Sequence, residues 1–299
     1  MNDRRWLLKL AALSPLTACG AAEDPIAAAM ARIRPLFMRK LPARPGDWLT
    51  QHNEPGQTYQ QFRSVVTERA IDRRSTLRVV PIGPLTTGQS AVLDVTKDVM
   101  KAFFGLPIEM DPPVALDSVP ADAQRTLSSL GPRQLLTTYL LDEALKKRRR
   151  DADAAVLGIT AIDLWPGPGW NFVFGQASLR ERVGVWSMAR NGDPDERPGM
   201  RKLCAIRTAR TAAHETGHMF GIRHCIAYEC GMNGSNNSDE RDRQPLEFCP
   251  ECQAKLWWTL GLDPLARSRA LEAAMRRHDF QHIAGILAKQ SAALASARR

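Results

Sequence analysis

Residues 214–224 read HETGHMFGIRH, and this stretch is the most informative part of the sequence for both fold and chemistry. Histidines four residues apart lie one turn apart on the same face of an α-helix, so His214 and His218 can offer two imidazole nitrogens to one metal ion. Gly221 lets the chain leave the helix with a positive φ, and the turn returns His224 as a third ligand. Three ligands leave the fourth position of a tetrahedral zinc ion open, so the stretch predicts a catalytic zinc site.

The distribution of the other histidines supports this interpretation. The chain has six histidines, and half of them fall within the eleven residues quoted above. His52, His278 and His282 have no comparable partners, and we interpret them as ordinary polar residues. Glu215 lies next to the first ligand, where its carboxylate can accept a proton from a zinc-bound water.

A second cluster of metal-ligating residues follows directly. Cys225 comes immediately after the third histidine, Cys230 follows after four further residues, and Cys249 and Cys252 form a CxxC pair. Two short pairs of thiols separated by a loop are typical of a closed structural zinc site. Two disulfides are the alternative in an exported protein. Cys204 has no pair and is interpreted as a small buried hydrophobic residue.

The N-terminus predicts export and lipid anchoring. Arg4 and Arg5 precede a short apolar run, which is the layout of a twin-arginine export signal. The run ends in Leu16-Thr17-Ala18-Cys19, which resembles a bacterial lipobox, in which the cysteine is acylated. We therefore expect residues 1–18 to be a lipoprotein signal peptide and Cys19 to carry the lipid. This places the protein on the periplasmic side of a membrane in a bacterial cell envelope; a cytoplasmic protein is the alternative.

Composition excludes several other classes. The chain has 299 residues, 44% of them hydrophobic, and a formal net charge of +9. This is enough apolar material for one large domain or two small ones, so intrinsic disorder is excluded. The sequence has no apolar run near the ~18 to 20 residues that cross a bilayer, which excludes a multi-span membrane protein. Six cysteines are too few for a disulfide scaffold.

The hydrophobic pattern predicts strands that alternate with helices. Thr76–Ile82 and residues 154–162 have the apolar, β-branched character of buried strands. Residues 92–104 and 134–147 have helical spacing of apolar side chains. These elements predict an α+β fold, in which helices cover a mixed sheet.

Three blocks of the sequence together resemble the archaemetzincins, a branch of the metzincin metallopeptidases. They are residues 214–225, residues 230–236 and the pair Cys249-Pro250-Glu251-Cys252. A weaker likeness in residues 54–58 and 76–85 extends the resemblance over most of the mature chain. The gap between Met232 and Cys249 is one residue shorter than is usual in the family.

The resemblance implies a zincin/metzincin-like fold: a mixed twisted sheet with covering helices, an active-site helix that carries HExxHxxGxxH, and a four-Cys zinc site. It implies two Zn²⁺ ions, one catalytic and one structural. Glu215 would be the general base, and Met232 would be the Met-turn residue beneath the catalytic zinc. The implied zinc ligands are His214, His218 and His224 for the catalytic ion and Cys225, Cys230, Cys249 and Cys252 for the structural ion.

The resulting hypothesis is a zinc-dependent metallopeptidase that acts on peptides or proteins. Residues 19–75 would form an N-terminal tether and arm, and residues 76–299 would form an archaemetzincin-like catalytic domain with C-terminal helices. Metzincins hold substrate as an added strand, and by that resemblance Asn171–Ala177 is the expected edge. We expect a monomer.

Two alternatives come from other functional classes. The first is a catalytically silent, membrane-anchored zinc protein that acts as a binding module, and the presence of Glu215 argues against it. The second is a zinc ribbon that binds nucleic acid. Residues around the CxxC pair are mixed or acidic, such as Glu247 and Glu251, so we expect no nucleic-acid binding.

Overall fold

The computed structural model describes residues 24–66, 69–127 and 131–296. The proposed signal peptide and Cys19 lie outside the described residues. Within the described ranges, none of the helices combines the length and the apolar character that crossing a bilayer requires.

Strands and helices are distributed along the described part of the chain. The strands are β1 (Thr76–Ile82), β2 (Ile108–Met110), β3 (Gln124–Thr126), β4 (Arg133–Leu136), β5 (Asp153–Thr160), β6 (Asp163–Trp165), β7 (Gly175–Ala177) and β8 (Val183–Ser187). The helices are α1 (Pro25–Ile33), α2 (Trp48–Gln51), α3 (Tyr59–Val65), α4 (Thr87–Phe104), α5 (Thr137–Tyr139), α6 (Pro198–Met219), α7 (Ser238–Arg243), α8 (Pro250–Leu260), α9 (Pro264–Arg277) and α10 (Gln281–Ala295).

A five-stranded sheet in the order β2-β1-β5-β8-β7 forms the centre of the fold. The first four strands pair in parallel, and β7 pairs antiparallel with β8, which leaves β7 at the edge. A second sheet, β3-β4-β6, has three strands. The expected α+β arrangement, a mixed sheet with covering helices, is thereby confirmed.

The alternation of side chains along β1 divides the core into two layers. Leu77 and Val79 belong to the larger cluster, which also contains side chains of α4 and α6. Val80 and Ile82 belong to a second cluster on the opposite face of the sheet. This follows from the period of two along a strand, and it explains why the sequence of a strand buried on both faces is apolar throughout.

The N-terminal segment, residues 24–66, packs on the helices that follow the zinc motif. Ala29, Met30 and Ile33 of α1 share a cluster with Trp257 of α8. The backbone amide of Trp48 donates to the Glu240 carboxylate of α7 at 2.9 Å. The segment therefore reaches the side of the molecule where the candidate site lies.

The structure confirms the two strands predicted from the sequence but not the start of one predicted helix. The predicted strand Thr76–Ile82 has the bounds of β1, and the strand predicted at 154–162 is β5. The helix predicted over 134–147 is wrong at its start, because this part of the chain is β4. Gln134 pairs with Asp163 of β6, and its buried side-chain amide donates to that carboxylate at 2.7 Å. Tertiary pairing thus overrides a local helical pattern. The helical turns begin only at Thr137.

Candidate active site

Helix α6 carries the first two histidines and ends where the motif requires it to end. The Gly221 amide donates to the His218 carbonyl at 2.8 Å, and the Ile222 amide donates to the Gly217 carbonyl at 3.1 Å. Gly221 has a φ of +81°, a conformation that other residues adopt only with strain. The chain therefore turns sharply after the helix and brings His224 back to the other two histidines.

The three imidazoles converge on one point. One ring nitrogen from each of His214, His218 and His224 lies within 4.8 Å of the other two. The Nε2 atoms of His214 and His218 are 3.0 Å apart. The remaining nitrogens face outward: Nδ1 of His214 lies 2.8 Å from the Gly231 carbonyl, and Nδ1 of His218 lies 2.8 Å from the Ile222 carbonyl.

These outward contacts determine which nitrogens carry protons. A carbonyl oxygen only accepts hydrogen bonds, so Nδ1 of His214 and of His218 must be the protonated nitrogen. In neutral rings the two Nε2 atoms then present lone pairs to each other, which is repulsive unless a cation lies between them. The donor set therefore fits zinc, which binds neutral imidazole whose second nitrogen donates to a carbonyl or carboxylate.

Burial keeps these ligands neutral. It lowers the pKa of His214 to about 3, with a further contribution from His224. The pKa of His218 lies well below its usual value for the same reason, because burial is the largest cause and the other two rings add to it. The uncharged form that binds a metal is thus the one that the fold favours.

Glu215 lies in the same pocket and touches the edge strand. Its side chain is buried, and a Cβ atom placed on Gly175 of β7 would lie 2.7 Å from its Oε1 atom. Burial raises the pKa of this carboxyl to about 8. A divalent cation at the three imidazoles would lower that pKa again by Coulomb attraction.

Met232 packs beneath the helix at the level of the histidines. A Cβ atom on Gly217 would lie 2.5 Å from the Met232 sulfur, so only glycine at that position allows the contact. The backbone of the same turn is fixed by the Cys225 amide, which donates to the Met232 carbonyl at 2.8 Å. The Met232 side chain therefore lies against α6 between the first two histidines of the motif.

Sequence reasoning missed Glu54 as a site residue. Its Oε1 atom accepts a hydrogen bond from Nδ1 of His224 at 2.7 Å and one from the Trp48 indole at 2.9 Å. Burial acts to raise the Glu54 pKa, but the bonds from His224 and Trp48 give a net lowering. Glu54 lies 170 positions before its partner, so no local spacing could reveal the pair. The likeness in residues 54–58 was the available signal.

The four cysteines form a separate buried group. The sulfurs of Cys225, Cys230, Cys249 and Cys252 lie within 4.8 Å of one another. All four are free thiols, and the sulfurs of Cys225 and Cys249 are 3.6 Å apart, against about 2.05 Å in a disulfide. The backbone amide of Cys249 donates to the Cys230 sulfur at 3.1 Å. This geometry fits a tetrahedral four-thiolate metal site and does not fit two disulfides.

A cleft of about 770 Å³ runs past the three histidines. Its wall includes β7 and the preceding residues, so part of the stretch expected at a sheet edge, Asn171–Ala177, does form an edge. Phe172 and Phe174 line this cleft. Each ring lies under a guanidinium, that of Arg190 for Phe172 and that of Arg241 for Phe174.

The remaining histidines and Cys204 belong to neither of the two groups that could hold an ion, although His52 lines the same cleft as the three histidines. His52 stacks on Trp48 with ring centroids 3.7 Å apart, and His278 bonds through Nε2 to Asp98 at 2.8 Å. Among the described residues that could jointly hold an ion, neither these two histidines nor His282 appears. Cys204 is fully buried, and burial raises its pKa, as expected for an inert thiol.

Comparison with known proteins agrees with this geometry. A model of peptidase family M54 matches residues 112–257. Archaemetzincin-2 of Homo sapiens is 33% identical over 260 residues, which cover 76% of this chain and 71% of the relative. Archaemetzincin of Thermococcus kodakarensis is 38% identical over 125 residues, which cover 42% of this chain and 67% of the relative.

A solved structure is also similar to this chain. The crystal structure of archaemetzincin from Methanopyrus kandleri matches with a TM-score of 0.51 and 30% sequence identity, and the match covers 63% of this chain and 97% of that one. The chain belongs to the archaemetzincin family and is a zinc metallopeptidase.

Proposed function

We propose that this protein hydrolyses peptide bonds at the three-histidine site, with Glu215 as the general base. The observation that carries the proposal is the convergence of the imidazole nitrogens within 4.8 Å beside a buried carboxylate in an open cleft. A purely structural zinc site needs no carboxylate at this position, and it would use all four ligand positions.

In the proposed reaction Glu215 transfers the proton, and β7 positions the substrate beside it. When bound, Zn²⁺ supplies Lewis acidity, which polarises a carbonyl and makes water acidic enough to react near neutral pH. Glu215 accepts the proton of the attacking water and passes it to the nitrogen of the leaving amine. Because Gly175 has no side chain, the β7 backbone passes directly over Glu215, so a substrate beside β7 lies next to the base.

The exposed side of β7 is the proposed binding site for the substrate backbone. β7 pairs with β8 on one side, and its residues line the cleft on the other. An extended peptide can therefore add to the sheet through main-chain hydrogen bonds. Main-chain hydrogen bonds form with almost any peptide sequence, so selectivity would come from side-chain pockets along the cleft.

The four cysteines are proposed to hold a second, structural zinc, which gives two ions per chain. They belong to the turn after α6 and to the start of α8, and the Met232 turn lies between them. A metal at this point would fix the turn that carries His224 and the packing of Met232 under the helix. The second ion would thus stabilise the residues that hold the catalytic site in place, without contacting the substrate.

The N-terminal sequence supports a proposed location. We propose that the paired arginines direct export and that Cys19 is acylated, which would attach the protein to a membrane of the cell envelope. Radiolabelled palmitate should label the wild type and should not label Cys19→Ala. Equal labelling of both would refute Cys19 as the acylated residue, and labelling of neither would refute the lipid anchor and favour a cytoplasmic protein.

A peptide library tests the proposed activity. The wild type and Glu215→Ala are incubated with the library, with and without a chelator, and products are identified by mass. We expect products from the untreated wild type only, while Glu215→Ala retains its zinc. Products common to both proteins would indicate another active site, and a zinc-loaded wild type without products would favour the silent binding module.

A further inference from the structure

Two arginines line the cleft beside the proposed catalytic residues. Arg210 lies one helical turn before His214 on α6, and Arg241 belongs to α7. Residues four apart share a helix face, so the Arg210 side chain leaves the helix on the side of that imidazole. Among the described residues that line the cleft, Glu215 is the single acidic one.

The carboxylate of Asp242, which attracts both arginines electrostatically, is already paired with a third arginine. The two Asp242 oxygens accept hydrogen bonds from Nε and Nη2 of Arg207. Arg210 reaches only the Asp242 backbone carbonyl, at 3.5 Å. Within the described part of the chain, Arg210 and Arg241 form no ion pair with a carboxylate.

Arg241 is buried with donors that have no acceptor. Its exposed fraction is 4%, and its Nε and Nη1 atoms have no hydrogen-bond partner among the described residues. Its Nη2 atom makes one long bond of 3.4 Å to the Arg190 carbonyl. The Nε atom of Arg210 likewise has no partner in that set. Buried charged donors without acceptors destabilise a fold, so their presence in a cleft wall indicates that a ligand supplies the acceptor.

Electrostatics favour an anion as that ligand. Burial lowers the pKa of Arg241 to about 10, and although Asp242 raises it, Arg207 and Arg210 lower it further by repulsion. Arg241 therefore remains protonated at neutral pH, and an anion would relieve both the burial cost and the repulsion. The guanidinium carbon lies 3.9 Å from the centroid of the Phe174 ring, which holds the group in place on one side.

We propose that Arg210 and Arg241 form a carboxylate-binding subsite, which selects peptides with an acidic side chain or a free C-terminal carboxylate close to the cleaved bond. The inference rests on the proposed function, since His214 and Glu215 define where that bond would lie. A carboxylate fits because its two oxygens can accept parallel N–H bonds from a guanidinium. The substrate is thus identified as a peptide with a negative charge at this position.

Matched peptides test the subsite. They differ only by Glu or Gln near the cleaved bond, and each is prepared as the free acid and as the C-terminal amide. We expect the wild type to favour the carboxylate in kcat/KM by about 10- to 100-fold, the range expected for a charged hydrogen bond. A Glu preference that persists in the amides identifies the side chain as the source, and dependence on the free acid identifies the terminus.

Two variants locate the preference. Arg210→Met and Arg241→Met should each reduce the ratio between charged and neutral peptides towards one, whereas Arg180→Met, an exposed arginine in the β7–β8 turn, should keep it. Circular dichroism checks folding, and Arg210→Met carries the test if Arg241→Met does not fold. Equal cleavage of all four peptides by the wild type, or an unchanged ratio in both cleft variants, would overturn the proposal.

A binding measurement separates this inference from the proposed function. The same peptides are titrated into zinc-loaded Glu215→Gln protein, and dissociation constants are compared. A carboxylate preference in binding without any cleavage by the wild type would refute the peptidase activity and retain the subsite. Cleavage with equal binding of charged and neutral peptides would refute the subsite and retain the activity.

Discussion

Glu54 fixes His224 from a distance of 170 positions along the chain, through a bond of 2.7 Å between its Oε1 atom and Nδ1 of the imidazole. This bond leaves Nε2 of His224 free to join the other two ligands. The N-terminal segment therefore contributes directly to the proposed metal site, and the zinc-binding residues of the motif do not form the site alone.

Loss of the Glu54 carboxylate should weaken zinc binding at the histidine site. Glu54→Ala removes the acceptor that orients His224, so we expect the affinity for this zinc to fall about 10- to 100-fold. The affinity is measured by competition with a chelator. Glu229→Gln is the control. The Glu229 side chain also bonds to the N-terminal segment, through Lys40 at 3.0 Å and the Leu41 amide, but its described hydrogen bonds include none to the three histidines. Equal affinities in Glu54→Ala and the wild type would contradict the assigned role.

A single methyl group on β7 should impair catalysis. In Gly175→Ala the new Cβ would lie 2.7 Å from Oε1 of Glu215, so the base or the edge strand must shift. Displacements of about 1 Å in a catalytic group can cost on the order of 100-fold in rate, and we expect a loss in kcat of that order with zinc content unchanged. In Gly199→Ala the added carbon meets no atom within 4 Å, so this variant should retain the wild-type kcat. Full kcat in Gly175→Ala would show that the contact does not matter.

Removal of one thiol from the four-Cys group should release one zinc and destabilise the fold. In Cys252→Ala the site becomes incomplete, and we expect about one zinc fewer per chain and a loss of unfolding free energy of about 4 kcal/mol or more. Cys204→Ala also removes a buried thiol, but it should retain the wild-type zinc content. Elemental analysis and urea unfolding measure both quantities. Unchanged zinc in Cys252→Ala would exclude the structural site.

The ion pair between α4 and the end of α9 should make stability depend on pH. Burial acts to raise the Asp98 pKa, but hydrogen bonds from Arg277 and His278 give a net lowering. A lowered carboxyl pKa stabilises the folded state above the unfolded pKa of about 3.9, and this contribution disappears as the pH falls through the folded value.

Asp98→Asn should therefore cost stability at pH 7 and not in strong acid. The Asp98 side chain is 31% exposed, so solvent screening limits the expected loss to about 0.5–1 kcal/mol at pH 7. The difference from the wild type should shrink as the pH falls below about 3.9 and through the lowered pKa of Asp98. Asp94→Asn, at a side chain that is 72% exposed, is the control and should change stability less. A difference that stays constant from pH 7 to pH 3 would contradict the pKa argument.

The sequence was sufficient to predict that the three histidines of the motif come together, because their positions follow from local geometry. The helix period places His214 and His218 together, and the glycine turn returns His224, so spacing alone defines the group. Glu54 and Arg241 could not be placed in this way. Their roles depend on chain segments that meet only in the folded protein.

The same distinction explains the error at β4. Local apolar spacing favours a helix across residues 134–147, but pairing with β6 makes the first residues of this range a β-strand. The need for glycine at position 175 could not be predicted either, because nothing near Gly175 in the sequence indicates that Glu215 lies against it. Position in a sheet and close approach between elements are long-range properties, and local patterns do not encode them.

X-ray absorption at the zinc edge can show whether the three histidines bind a zinc ion. For the wild type we expect two equal zinc populations, one with nitrogen and oxygen neighbours at about 2.0–2.1 Å and one with sulfur neighbours at about 2.3 Å. In Cys252→Ala the imidazole-bound population should remain. A spectrum with sulfur neighbours only, and no imidazole scattering, would contradict a zinc ion held by His214, His218 and His224.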